Sequence, residues 1–91
     1  MASTSKTVDQ KLSEMVSMTT ASVKRFAELE QAYLQDAETL DTYLHDEELP
    51  GDVRCEAAYE AKKRRELARE MQRRVNDNSL FIELYEKFYK K

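Results

Sequence analysis

The sequence predicts an all-α chain, an antiparallel helical hairpin or small helical bundle with one long N-terminal helix and a return arm of two shorter helices. Three observations carry this. The 91 residues contain one Gly and one Pro, adjacent as Pro50-Gly51. Globular domains average about 7% Gly and 5% Pro, and a sandwich or barrel needs a turn signal every ~8–12 residues, so a many-stranded sheet is excluded. Apolar residues on both sides of Pro50 recur at steps of three and four, the period of a helix with one apolar face. Finally, the charge divides at the same point: residues 1–50 carry 4 basic and 10 acidic side chains, and residues 51–91 carry 11 and 8. An acidic arm and a basic arm attract each other when folded back.

In chain order, the expected single helical domain (1–91) begins with a flexible N-terminus over 1–7. Helix one spans 8–45 on the apolar series Val8, Leu12, Met15, Val16, Val23, Phe26, Leu29, Tyr33, Ala37, Leu40 and Leu44. At 1.5 Å per residue it would be about 55 Å long. Its weak stretch is Thr19-Thr20-Ala21-Ser22, where helix propensity falls and a kink could form. Residues 46–52 form the turn: Pro50 removes a donor, Gly51 supplies backbone freedom, and Asp52 caps the next helix. Helix two is expected over 53–75, a break at Asn76-Asp77-Asn78-Ser79 on its run of capping residues, and helix three over 79–90. Folding about Pro50 pairs residues whose numbers sum to about 101, so that Leu29 faces Met71 and Phe26 faces Val75. Arg64, which falls in the apolar sector of helix two, is then expected to meet Asp36. A compact three-helix bundle is the alternative packing.

Composition excludes several functional classes. Cys55 is the only cysteine, so a disulfide-stapled fold is ruled out. No apolar run approaches the ~20 residues of a membrane span, and the opening Met1-Ala2-Ser3-Thr4-Ser5-Lys6 has no signal-peptide pattern. The expected location is cytoplasmic, with no membrane association. A single Gly leaves no phosphate-cradling loop or dinucleotide fingerprint. His45 and Cys55 lie beside the turn, the thiol expected to be semi-buried. A hairpin tip offers no walls for an oxyanion pocket, and their spacing matches no structural zinc pattern. No catalytic, cofactor or metal residues are therefore assigned, and no cofactor is expected.

What the sequence offers is contact surface. On helix two Lys62, Arg65, Arg69 and Arg73 line up nearly opposite the apolar face, flanked by a strip of glutamates. Arginine forks hold carboxylates bidentately, so this stripe suits an acidic patch on a protein partner. Tyr43, Tyr59, Phe81, Ile82 and Tyr89 do not all fit one seam between two helices, which predicts a covering partner or a second copy, and Tyr59, Phe81, Tyr85 and Tyr89 are assigned to that contact. The expected function is a non-enzymatic protein–protein interaction module, a small helical regulator or inhibitor that also self-associates as a homodimer. The alternative is a nucleic-acid-associated regulator using the basic stripe. Against it stands the pI of about 5.2, since nucleic-acid binders are usually basic.

Overall fold

The structure, a computed structural model, describes residues 6–89. It is a hairpin of two long helices, α1 (Val8–Leu44) and α2 (Gly51–Phe88), with no strand among the described residues. The first helix begins on a capping box. The Thr7 hydroxyl accepts from the Gln10 N–H at 3.1 Å, and the Gln10 side-chain oxygen accepts from the Thr7 N–H at 2.9 Å, satisfying two of the orphan donors of the first turn. Lys6 adds an ion pair to Glu14 at 2.7 Å. Lys6 and Thr7 therefore belong to the helix start, not to a flexible tail; residues 1–5 of that expected tail lie outside the described residues.

The turn is held by its own polar groups. His45 and Asp46 donate their N–H groups to the carbonyls of Asp41 and Tyr43, and the Asp46 carboxylate accepts from the Glu48 N–H at 3.0 Å. Pro50, extended at φ −57° and ψ 151°, is the N-cap of α2. This corrects two expectations. Gly51 is the first helical residue with an ordinary negative φ, so its left-handed freedom is unused. Asp52 lies one position inside the helix, where its carboxylate accepts from the Val53 N–H and favours the positive end of the helix dipole.

A larger correction concerns the return arm. The expected break at 76–79 is absent, and helices two and three are one uninterrupted α2 that ends at Phe88; Lys90, in the expected helix three, lies outside the described residues. Asn, Asp and Ser each cost a helix only a few tenths of a kcal/mol relative to Ala, and none of the four is Gly or Pro. Breaking the helix there would swing Ile82 and Tyr85 out of the row that Met71, Val75 and Asn78 begin. Packing therefore outweighs local preference. The Thr19–Ser22 stretch is likewise continuous helix. There Thr19 and Thr20 donate their hydroxyls to the carbonyls of Met15 and Val16, one turn back.

The arms pack along a seam of strict three-and-four spacing, the pattern of an antiparallel coiled coil. On α1 the inward row is Leu12, Val16, Thr19, Val23, Phe26, Glu30, Tyr33, Ala37, Leu40 and Leu44. On α2 it is Arg54, Ala57, Ala61, Arg64, Ala68, Met71, Val75, Asn78, Ile82 and Tyr85. All are half-buried or buried. The pairing has numbers summing to about 100, as Arg64–Asp36 at 3.6 Å and the Arg74 guanidinium 5.6 Å from the Phe26 ring centroid both show. Arg64 thus meets the acid the sequence suggested. Leu29, however, stands on the flank, and Glu30 takes the inward position at that level.

Buried side chains among the described residues are confined to Ala37, Ala57, Ala61 and Ala68. Alanines at the turn end let the helices approach closely, but they bury little area each. The hairpin measures 67 × 34 × 13 Å, with a radius of gyration of 20.4 Å, where a compact chain of this length would have about 12 Å. It is a slab little more than one helix thick, with two broad faces.

Candidate protein interface

The two broad faces differ in chemistry. Each is formed by the residues flanking the seam, one row from each helix, and contacts across the seam identify which rows share a face. Arg64 reaches Asp36 and, at 3.3 Å, Glu60; Arg74 reaches Phe26. These place Asp36, Glu60, Arg64 and Arg74 on one face. Arg65 pairs with Asp41 across the other.

On the first face the flanking row of α1 holds Val8, Met15, Leu29 and Tyr43, separated by seven or fourteen residues. The matching row of α2 holds Val53, Leu67, Phe81 and Phe88 at the same intervals, because a residue in a coiled coil returns to its position every seven. Met18 and Leu84 stand beside these rows. Of the thirteen large apolar residues exposed among the described residues, nine lie on this face, with Met18 at 64% and Phe88 at 62% exposure. At its turn end Leu40, Tyr43, Leu49, Val53 and Ala57 line an open apolar groove of about 450 Å³, rimmed by Asp46, Glu56 and Glu60. The second face carries Thr20, Ala27, Leu34 and Asp41 opposite Ala58, Arg65, Gln72 and Ser79. Leu34 is the one large apolar residue exposed there among the described residues.

The residues singled out from the sequence do not form one surface. Lys62 and Arg69 are exposed on the outer side of α2, toward the polar face. Arg65, beside them, is engaged by Asp41, and Arg73 by Glu70 at 3.4 Å, so half of the basic stripe is already neutralised within the chain. Tyr59 stands outward at 57% exposure with the Lys63 ammonium 5.4 Å from its ring centroid. Phe81 belongs to the apolar face. Tyr85 sits in the seam and stacks on Tyr89, with ring centroids 6.3 Å apart. Only Phe81 of the eight therefore stands in the apolar rows. The signal that would have found the others is the seven-residue recurrence of apolar residues just outside the seam; Val8, Met15 and Leu29 had been merged into the seam itself.

The expected semi-buried thiol is also corrected: Cys55 is exposed, since it follows Arg54, the residue that turns inward. Among the described residues no group of three or more His, Cys, Asp or Glu side chains is placed to hold a metal ion, and no helix is long and apolar enough to cross a membrane. No protein-family model matches this sequence, and comparison with curated proteins and with solved structures finds no similar chain.

Proposed function

We propose that this chain is a non-enzymatic protein–protein interaction module, a small helical regulator or inhibitor that contacts its partner through the apolar broad face. The observation that supports this reading is the segregation of exposed apolar side chains: the same hairpin has one face lined by Met15, Leu29, Leu67 and Phe88 and another lined by Thr20, Asp41, Arg65 and Gln72. Scattered surface apolar residues need no explanation, but large apolar residues gathered on one face along the length of the molecule, interrupted by the ion pairs of Arg64 and Arg74, mark a contact surface. Two of the cations on this face are paired within the chain, Arg64 with Asp36 and Glu60, and Arg74 with Glu70 at 3.5 Å. Lys62 and Arg69 lie away from it and remain available to an acidic patch on the rim.

The test is quantitative capture on the tagged full chain compared with two variants. Leu84→Glu, on the apolar face, should lose the proteins that wild type enriches; Arg69→Glu, on the outer side, should retain most of them. Loss with Arg69→Glu and retention with Leu84→Glu would instead favour the basic stripe as the contact.

The nucleic-acid reading rests on Lys62 and Arg69, which are exposed cations among the described residues. It predicts a salt-sensitive shift of DNA or RNA that disappears in the double variant Lys62→Glu, Arg69→Glu. No shift at low salt removes it.

A further inference from the structure

We infer that the apolar broad face is covered by a second copy of this chain, giving a two-layer, four-helix dimer. The inference rests on the interaction reading above and names its partner. The first argument is area. The chain exposes 7207 Å², whereas a compact monomer of 10.7 kDa exposes about 5,500 Å². The excess, roughly 1,700 Å² per chain, is spread over both broad faces, and a second copy covering the apolar one removes part of it; permanent homodimers bury roughly 1,000–2,500 Å² per subunit.

The second argument is shape and pitch. The exposed rows are a second seam, because Met15, Leu29 and Tyr43 on α1 recur at fourteen-residue steps and Val53, Leu67 and Phe81 on α2 do the same. A seam of this kind is covered by helices running along it, not by a ligand in a pocket. A second hairpin offers two such helices of the required length and identical spacing, and its own face needs the same cover. A twofold contact uses one patch on both subunits, and so requires a self-complementary surface. A face whose large apolar residues recur at the same steps on both helices meets that requirement; the opposite face does not, since stacking it on itself would bury Thr20, Gln72 and Ser79. The third argument is stability. A slab whose buried side chains, among the described residues, are four alanines has a thin core, and covering the apolar face adds buried apolar area at about 25 cal/mol per Å².

Two leucines make the test clean. Leu29 on the apolar face and Leu34 on the polar face are each 36% exposed, on the same helix and five positions apart. Sedimentation of the full chain from low to high micromolar concentration should give twice 10.7 kDa. Leu29→Glu should raise the dimer dissociation constant by about 100-fold or more, because each dimer buries two such carboxylates. Leu34→Glu should change it by no more than about threefold. Should Leu29→Glu lose its helix signal, Leu29→Ala serves in its place, with an expected weakening of about tenfold. A monomer at every concentration, or equal effects of the two glutamate variants, overturns the inference. In that event, face-dependent capture of a different protein in the Leu84→Glu experiment would leave the interaction reading standing, and absence of capture would remove both.

Discussion

The polar and apolar faces of this hairpin flank the same seam, are built from the same two helices and have the same length, yet they are prepared for different surroundings. On the polar face, Thr20 bonds the Val16 carbonyl, Arg65 and Asp41 pair with each other, and Gln72 stands exposed to water. On the apolar face, Met18, Val53 and Phe88 keep between 45% and 64% of their surface in solvent, at a cost of about 25 cal/mol per Å² that a partner would recover. The difference shows where information resides in a two-helix protein. The inward row specifies that the arms meet; the rows beside it decide what the finished hairpin can meet next.

Breaking α2 should disturb that contrast most. Ser79→Pro would be tolerated as the first residue of a separate helix, but within continuous α2 it removes a hydrogen bond and clashes one turn back. The expected loss is about 3 kcal/mol or more, read as a fall in the denaturation midpoint. A loss under about 1 kcal/mol would restore the two-helix return arm and move Phe81, Leu84 and Phe88 off the apolar face.

Forcing the arms apart comes next. Ala61 is 1% exposed in the alanine-lined end of the seam, and Ala61→Leu should cost about 1–3 kcal/mol by overpacking. The exposed Ala32→Leu should change stability by less than about 0.5 kcal/mol. Equal, small effects would mean that the turn-end seam is looser than the burial of Ala61 indicates.

The two cross-arm arginines compare the faces directly. Arg64 bridges two carboxylates and is 33% exposed at its side chain, whereas Arg65 has one partner, Asp41, with side-chain exposures of 41% and 39%. Arg64→Ala should cost about 1 kcal/mol and Arg65→Ala about half of that, both shrinking at high salt. The reverse order would make the polar face the more tightly joined. The smallest change is expected at the tip. A Cβ added at Gly51 meets nothing within 4 Å, so Gly51→Ala should stabilise the chain by about 0.4–1 kcal/mol through the unfolded state, with dimerisation unaltered.

Much of this architecture was legible before folding. Three-and-four spacing on either side of Pro50, with no other Gly or Pro, dictated two amphipathic arms and their antiparallel return; counting outward from the turn even brought Arg64 to Asp36. The Thr7-x-x-Gln10 capping box was also written in the residues, although the expected flexible tail ran over it. Site residues were harder to read, because a helical wheel separates the apolar from the charged side of one helix but leaves open which flanking rows of two helices lie together. Lys62, Arg65, Arg69 and Arg73 formed a clean stripe on an isolated α2. Glu70 beside Arg73 is a neighbour within α2 itself, but only the packed hairpin shows that Asp41 engages Arg65.

The sequence by itself determined the helices, the turn and the approximate register, since each follows from the period of apolar residues and from the position of one proline. Tertiary structure alone decided the continuity of α2 through Asn76–Ser79, the inward turn of Glu30 in place of Leu29, and the gathering of Val8, Met15, Leu67 and Phe88 onto one face. Those outcomes depend on how two helices rotate about their own axes to fit a shared seam, and no stretch of either helix carries that rotation until the other is beside it.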